Sequence, residues 1–211
     1  LGGRNPLINC TVSDSVITLH VVATAPDRPS AEAMIQKDQT DLCEILGDWV
    51  YGRDDQTLAE VVGARLAQSK LAIAVAESCT GGLIAKMLTD VPGSSRYFAY
   101  GWITYGNQAK QSELGVDPAL LAQYGAVSEP VVRAMAEGAR KKSGADVAVA
   151  VTGIAGPEGG TEQKPVGLVY IGVASLNQTI VQKCQFSQSR AMIRSRAALT
   201  ALNLVRLQMN G

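Results

Sequence analysis

The chain of 211 residues contains 19 basic residues (Lys and Arg) and 19 acidic residues, so its formal net charge at neutral pH is zero. This balance gives no basic surface for nucleic acid, and every apolar run is far shorter than the roughly 20 residues that cross a bilayer. No positively charged, apolar leader is present either, so the sequence predicts a cytoplasmic protein with no nucleic-acid or membrane partner. A length of 211 residues and a hydrophobic fraction of 46% suit one sizeable globular domain, or a smaller one with an appendage.

The cysteines and the single histidine limit the chemistry that the chain can carry. Cys10, Cys43, Cys79 and Cys184 are far apart in sequence and form no CxxC pair, which indicates reduced thiols and neither a zinc site nor a disulfide framework. His20 lies in an alternating, strand-like segment near the N-terminus. A Ser-His-Asp triad and a histidine-based metal site are therefore both disfavoured. A serine nucleophile would need another base, for which lysine is the natural candidate.

The first 50 or so residues predict a small β-α-β unit. Residues 1–14 look irregular, Val16–Thr24 alternates like a strand, and Ser30–Leu46 suits a polar helix that Gly47 ends. A short strand is predicted at Trp49–Tyr51. Because this unit has little apolar surface of its own, we expect it to be an appended domain that packs on something else.

From residue 56 onward, helices alternate with apolar strands. The predicted elements are, in chain order, a helix over 58–70, a strand over 71–76, a helix from 83, an aromatic strand over 97–105, helices beginning near 108, 118 and 129, strands over 145–151, 166–174 and 179–186, and a helix over 191–209. The last two strands are predicted to pair antiparallel. This pattern predicts a three-layer α/β/α fold with a mixed sheet and helices on both faces.

The strand over 71–76 turns into its helix through the sequence Glu77-Ser78-Cys79-Thr80-Gly81-Gly82. A sharp strand-to-helix turn exposes side chains and backbone N–H groups where an anion or an oxyanion can bind. Ser78 lies at the bend, Thr80 can cap the helix, and the two glycines let a ligand approach the backbone. Cys79 is the rival nucleophile. A capped turn that serves packing alone is the alternative to a functional site.

A second apolar strand, 145–151, ends in a similar polar turn, Thr152-Gly153-Ile154-Ala155-Gly156-Pro157. Ligands of open α/β sheets bind beyond the carboxyl ends of the strands, so parallel neighbouring strands would bring both turns to one cleft. The glycine-rich loop that continues to Pro165 suits a lid or a phosphate-binding edge, and an ordinary surface loop is the alternative. Neither GxxxxGK[ST] nor GxGxxG occurs, so these motifs give no support for ATP or dinucleotide binding.

One tyrosine and three cationic side chains complete the candidate site. Tyr105 and Lys110 lie at the end of the aromatic strand and on the short helix after it, and a buried lysine beside a hydroxyl can act as the base for a serine. Arg190 and Arg194 are four residues apart, so both face one side of the first turn of the last helix and could hold a phosphate. Solvated surface charges are the alternative for all three cations.

Five segments of the sequence read AESCTGGLIAKMLTDVPGSS, ITYGNQAK, GAVSEPVV, AVTGIAGPEGGTEQKPVG and SRAMIR. In this order over residues 55–210, they resemble the C-terminal domain of the CinA family, which includes the stand-alone nicotinamide-nucleotide amidases. The resemblance implies hydrolysis of the carboxamide of nicotinamide mononucleotide to nicotinate mononucleotide and ammonia, in pyridine nucleotide recycling. It also implies that no metal or organic cofactor takes part and that the protein is a homodimer.

Carried over by motif position, the resemblance makes Ser78 the nucleophile and makes Tyr105 and Lys110 its activating and proton-shuttling partners. The residues that it implies for substrate binding are Thr80, Gly81, Gly82, Thr152, Gly153, Arg190 and Arg194. The family's usual Gly-Asp-Arg-Glu at the start of the last helix reads Gln188-Ser189-Arg190-Ala191 here. Both acidic residues are therefore missing, while both arginines remain.

These assignments give a hypothesis of acyl transfer. Lys110, with Tyr105, takes the proton of Ser78, whose oxygen attacks the carboxamide carbon. The backbone N–H groups of residues 80–82 hold the oxyanion, ammonia leaves, and water releases the nicotinate. Two alternatives stay open: a cysteine amidase that uses Cys79, and a non-catalytic module that binds pyridine nucleotides or acts in competence or DNA damage.

Residues 1–53 resemble the small KH-like linker domain that precedes the amidase domain, here residues 54–211, in full-length CinA proteins. RNA binding is not expected from this likeness, because the segment has no GxxG loop and is not basic. The chain begins Leu1-Gly2-Gly3 rather than with methionine, so we expect it to be part of a longer product.

Overall fold

The computed structural model describes residues 4–13 and 15–209. Its internal contacts divide the chain into two compact units, Leu1–Tyr51 and Gly52–Gly211. No helix within the described residues is both long enough and apolar enough to span a bilayer.

The first unit is a β-hairpin followed by a helix, so the predicted β-α-β order is wrong. Strands β1 (Leu7–Ser13) and β2 (Val16–Val22) pair antiparallel, where β1 replaces part of the segment predicted to be irregular. Helix α1 (Arg28–Leu46) starts earlier than predicted, because the Asp27 side chain accepts a hydrogen bond from the amide of its first turn. A 3₁₀ turn, Gly47–Trp49, stands where the short strand was expected. A run of three β-formers does not make a strand without a neighbour to pair with.

The second unit contains a five-stranded mixed sheet. Its strands are β3 (Ile73–Glu77), β4 (Phe98–Ile103), β5 (Val147–Gly153), β6 (Leu168–Ala174) and β7 (Thr179–Gln185). They are ordered β4-β3-β5-β6-β7. Strand β3 pairs parallel with both β4 and β5, whereas β5 with β6 and β6 with β7 are antiparallel. The predicted antiparallel pair at the end of the chain is therefore confirmed.

Helices cover both faces of this sheet. They are α2 (Leu58–Ser69), α3 (Leu83–Thr89), α4 (Asn107–Leu114), α5 (Pro118–Tyr124), α6 (Glu129–Ser143) and α7 (Arg190–Gln208). Helix α6 packs on β3, β5, β6 and β7, and α4 and α5 pack on α6. Helix α7 packs on β5 and β6, and it also contacts α2 and α3. The predicted three-layer α/β/α fold is confirmed.

Strand β3 is the most deeply buried strand, with all five of its residues shielded from solvent. A parallel strand with helices on both sides has no solvent face, which explains the continuous apolar run in the sequence. Strand β4 lies at the edge of the sheet and is mostly exposed. Because β3 lies between β4 and β5 and runs parallel to both, the segments that follow these three strands meet at one edge of the sheet.

Candidate active site

The turn that follows β3 is tied to both neighbouring strands. The Ser78 amide donates to the carbonyl of Val151 at 3.0 Å, and the Thr104 amide donates to the carbonyl of Glu77 at 2.8 Å. The segments after β3, β4 and β5 therefore form a single edge, as the hypothesis of a shared cleft requires. Ser78 lies in the middle of this edge and is buried.

Lys110 is buried with its amine against the Ser78 side chain. Only 1% of the residue is exposed, which rules out the alternative of a solvated surface lysine. The Nζ atom donates to Ser78 Oγ at 3.2 Å, to the Thr104 carbonyl at 2.8 Å and to the Tyr105 carbonyl at 3.2 Å. Burial lowers the pKa of the Lys110 amine below its ordinary value, and the nearby Cys79 sulfur offsets this only in part.

The three contacts of Lys110 suit a neutral amine as well as a charged one. A neutral amine has two N–H groups and one lone pair. The two carbonyl oxygens, of Thr104 and Tyr105, accept the two N–H groups, which leaves the lone pair directed at the Ser78 hydroxyl. In this form the amine can take the proton of Ser78, which is what a general base must do.

Glu77 is a site residue that the sequence reasoning missed. It is the last residue of β3 and only 1% exposed. Its Oε2 atom accepts from the amides of Gly82 at 3.0 Å and Ile84 at 3.1 Å, and its Oε1 atom accepts from the amide of Ala85 at 2.8 Å. The signal in the sequence was a carboxylate at the end of an otherwise apolar run, since buried acids need several donors.

The prediction that Thr80 caps helix α3 is wrong, because the Glu77 carboxylate accepts from the amides at the start of this helix. The helix begins at Leu83, and its N-cap residue, Gly82, has a φ of 94°, which favours glycine. The Thr80 hydroxyl is buried and finds no hydrogen-bond partner within the described residues. The cap comes from the preceding strand because the turn brings the Glu77 carboxylate back over the first amides of the helix.

The expected oxyanion donors are only partly available. The Gly82 amide donates to Glu77, and the Gly81 amide donates to the Ser78 carbonyl at 3.0 Å. The hydrogen bonds of the described chain leave the Thr80 amide without an acceptor. The expectation that all of residues 80–82 would offer free N–H groups is thus wrong for the two glycines, whose amides the turn itself uses.

The two arginines at the start of α7 make different contacts. Arg194 donates from Nε to the Cys79 carbonyl at 3.1 Å and from Nη2 to the Thr80 carbonyl at 2.7 Å. Its guanidinium thus holds the main chain of the Ser78 turn. Arg190 donates from Nη1 to the Gly156 carbonyl at 2.7 Å and from Nη2 to the Tyr105 hydroxyl at 3.1 Å.

The Arg190 contacts form a bridge across the mouth of the site. Tyr105 follows β4 and Gly156 follows β5, while Ser78 follows the strand between them. The Tyr105 side chain is largely exposed, and its phenol contacts Arg190. Its link to Lys110 runs through the main-chain carbonyl instead.

Thr152 and Gly153 lie at the end of β5. The Thr152 hydroxyl is buried and donates to the Ala126 carbonyl at 2.9 Å. A Cβ atom on Gly153 would lie 2.7 Å from the Val169 side chain and 2.9 Å from the Leu168 carbonyl. Close packing against β6 therefore accounts for this glycine without any ligand.

Cys79 and His20 do not enter the candidate chemistry. Burial raises the pKa of the Cys79 thiol to about 11, and the charges of Arg194 and Lys110 offset this only in part. The thiol therefore stays protonated at neutral pH, which disfavours a cysteine nucleophile.

His20 lies on β2 of the first unit and contacts Thr11. The described residues contain no group of three or more His, Cys, Asp or Glu side chains that could hold a metal ion.

Comparisons with known proteins agree on one family. The model of the CinA C-terminal domain matches residues 55–209. A competence-damage inducible protein of Thermoanaerobacter pseudethanolicus is 44% identical over the whole of this chain, which covers 51% of that relative. A CinA-like protein of Kosmotoga olearia is 43% identical over 96% of the chain and 49% of its own length. The chain thus spans about half the length of these relatives.

Solved structures of similar proteins share the fold of the second unit. The competence/damage inducible protein CihA of Agrobacterium tumefaciens superposes with a TM-score of 0.69 at 38% identity, over 76% of this chain and all of that chain. A CinA superfamily protein of Klebsiella pneumoniae superposes with a TM-score of 0.70 at 30% identity, over 74% of this chain and 99% of that one.

Proposed function

The chain belongs to the CinA C-terminal domain family, and we propose that it hydrolyses the carboxamide of nicotinamide mononucleotide, giving nicotinate mononucleotide and ammonia. The observation that carries this proposal is the 3.2 Å distance between the Lys110 amine and the Ser78 hydroxyl, both of them buried. A nucleophile and a base within hydrogen-bond reach are the minimum that acyl transfer requires.

The first half of the proposed reaction forms an ester on Ser78. The lone pair of neutral Lys110 takes the hydroxyl proton as Ser78 Oγ bonds to the carboxamide carbon, and the carbonyl π electrons move to oxygen. Among the expected donors of residues 80–82, the Thr80 amide is the one left for that oxyanion, because the Gly81 and Gly82 amides are engaged. The C–N bond then breaks, and the Lys110 ammonium returns its proton to the nitrogen, which leaves as ammonia.

The second half regenerates the enzyme. Lys110, neutral again, takes a proton from water as the water oxygen attacks the ester carbon. The ester C–O bond breaks, the proton passes from Lys110 to Ser78 Oγ, and the released carboxylic acid gives its remaining proton to solvent to become the nicotinate. Each group returns to its starting protonation state, so no cofactor is consumed.

The two arginines are proposed to have different roles, one in holding the Ser78 turn and one in substrate binding. Arg194 donates to two carbonyls of the Ser78 turn, so we assign it to holding that turn. Arg190 is exposed and bridges Gly156 and Tyr105, which leaves it the better placed of the two to exchange these contacts for a phosphate. Thr152 is also proposed to contact the substrate, because its hydroxyl donates to the Ala126 carbonyl and its oxygen can still accept a hydrogen bond.

The domain roles, the assembly and the location are also proposals. Residues 54–211 are proposed as the amidase domain and residues 1–53 as a KH-like linker domain. The family resemblance supports a cytoplasmic homodimer, which light scattering of the purified chain tests directly. A monomeric mass at working concentration would contradict the dimer without affecting the chemistry.

The deciding experiment is ammonia release from nicotinamide mononucleotide by the wild-type chain, Ser78→Ala and Cys79→Ala. We expect Ser78→Ala to lose at least about 10³-fold in kcat and Cys79→Ala to stay within about threefold of wild type. The neighbouring cysteine is the matched control, because it lies in the same turn. The opposite pattern would support a cysteine amidase. Thermal stabilisation by the nucleotide with no ammonia release would instead support a non-catalytic pyridine-nucleotide-binding module.

A further inference from the structure

We propose that Glu77 is a positioning residue for the reaction, which fixes the Ser78 turn by holding its two ends together. This inference rests on the proposed function, since it assigns Glu77 a part in Ser78 chemistry. The carboxylate accepts three amides, those of Gly82, Ile84 and Ala85, at 2.8 to 3.1 Å. It is shielded from solvent and takes no part in the proton transfers described above.

The Ser78 turn begins at Glu77 and ends at Gly82, so this one side chain spans it. At its start, the turn is held by main-chain bonds of residues 77 and 78 to the neighbouring strands. Its middle is held by Arg194 through the carbonyls of Cys79 and Thr80. Its far end is held by the Glu77 carboxylate, because the N-cap residue Gly82 has no side chain to cap the helix.

A carboxylate is the group that these donors require. Three N–H groups converge on two oxygens, and both oxygens must accept. Glutamine has the same shape, but its NH₂ group would face at least one of the amide N–H groups and could not accept from it. Aspartate keeps both acceptors but is shorter by one methylene, so it meets the donors only if the turn moves.

The expected consequence is a loss of rate rather than of substrate affinity. Displacing a reacting group by about 1 Å can cost on the order of 10²-fold in rate. The proposed phosphate contact, Arg190, lies on a different element, and its hydrogen bonds go to Gly156 and Tyr105 rather than to Glu77. Glu77→Gln should therefore lower kcat by about 10- to 100-fold with KM within about threefold of wild type.

Thr57→Ala provides a matched control. Thr57 caps helix α2 through the same type of bond, its hydroxyl accepting from the Glu60 amide at 3.2 Å, away from the Ser78 turn. Both variants should lower the melting temperature, whereas only Glu77→Gln should lower kcat. Glu77→Asp should recover part of the lost rate. Equal kcat values for Glu77→Gln and Thr57→Ala, or a loss confined to KM, would overturn the positioning role.

A second measurement needs no substrate and separates this inference from the proposed function. Amide hydrogen exchange followed by NMR should show Gly82, Ile84 and Ala85 protected in the wild-type chain and exchanging at least tenfold faster in Glu77→Gln, with the amides of α2 unchanged. Rapid exchange of these three amides in wild type overturns the inference, even if no Glu77 variant folds. If the wild-type chain protects these amides but releases no ammonia, the hydrogen bonds of the Glu77 carboxylate are supported and the proposed function is contradicted.

Discussion

The amine of Lys110 lies 3.2 Å from the hydroxyl of Ser78, although the two residues are 32 positions apart and belong to different elements. The sheet order brings them together. Ser78 follows β3, and Lys110 lies on helix α4, which begins a few residues after the parallel neighbouring strand β4 ends. Two main-chain carbonyls hold the amine in this position. Main-chain carbonyls thus position this amine, and its hydrogen-bond partners include no carboxylate.

Replacing Lys110 by methionine should remove most of the amidase activity. The substitution keeps the length of the side chain but removes the base, which typically contributes 10²- to 10⁴-fold, so kcat/KM should fall by at least about 100-fold. Lys86→Met is the control, because Lys86 is an exposed lysine on α3 that pairs with Asp90. Steady-state ammonia release measures both variants. A Lys110→Met enzyme with more than a tenth of wild-type activity would contradict the assignment of the base.

The rate should rise with pH as Lys110 loses its proton. Burial lowers the pKa of this amine, so the midpoint of the rise in kcat/KM should lie below about 10.4, the ordinary value for lysine. Only the neutral form can act as the base, which fixes the direction of the change. A pH profile of kcat/KM measures the midpoint. A rate that falls as pH rises from neutrality to about 9 would require a protonated group instead.

The same pKa makes the stability of the fold depend on pH in a defined direction. The folded chain holds the Lys110 proton less tightly than the unfolded chain, so protonated Lys110 opposes folding. At pH values below the pKa of Lys110 in the folded chain, the protonated amine destabilises the fold by its full amount. This destabilisation disappears as pH rises from that pKa towards about 10.4. The melting temperature of wild type relative to Lys110→Met should therefore increase with pH over this range. A difference that is constant with pH would show that burial does not lower the pKa.

The bridge between Tyr105 and Arg190 should appear as an energetic coupling. Their hydrogen bond of 3.1 Å joins a phenol to a charged group at an exposed position, so a coupling of about 0.5–1.5 kcal/mol is expected. Tyr105→Phe, Arg190→Ala and the double variant, measured by the free energy of unfolding, form the cycle. Tyr105→Phe keeps the carbonyl that contacts Lys110, so the cycle isolates the phenol. Strictly additive effects would show that the bridge does not form in solution.

The sequence predicted the second unit well because its signals are local and strong. The buried strands β3 and β5 are continuous apolar runs, each followed by a polar turn, and their parallel pairing follows from the alternation of helices and strands. The first unit was predicted less well. The β1 segment has a weak hydrophobic pattern, and its identity as a strand depends on pairing with β2.

The side-chain contacts of the candidate site could not be predicted from the sequence. That Lys110 is buried depends on the fold around it, since a lysine on a short helix is usually solvated. The separate contacts of Arg190 and Arg194 are also invisible in sequence, where both occupy the same face of one helix. The capping by Glu77 joins a strand to the helix after it, which lies outside the usual local capping patterns. The catalytic and binding roles of these residues remain predictions.

Close packing at Gly138 should be required to hold the helix that carries Lys110. A Cβ atom at this position of α6 would lie 1.9 Å from the carbonyl oxygen of Leu114, the last residue of α4. Glycine to alanine in a helix ordinarily stabilises by up to about 1 kcal/mol, whereas overpacking costs about 1–3 kcal/mol. Since backbone must move here, Gly138→Ala should lower the free energy of unfolding by about 1–3 kcal/mol.

A shift of helix α4 in Gly138→Ala should also change the geometry of the candidate site. Lys110 lies one helical turn before Leu114, and the Lys110 carbonyl accepts from the Val116 amide at 3.1 Å, so a shift of this end of α4 moves the amine relative to Ser78. We expect kcat to fall by about 3- to 10-fold in Gly138→Ala. Glu137→Ala, at the adjacent exposed position of α6, should change neither quantity. Urea unfolding and ammonia release test both variants, and a Gly138→Ala chain that is more stable than wild type would contradict the close approach of α4 and α6.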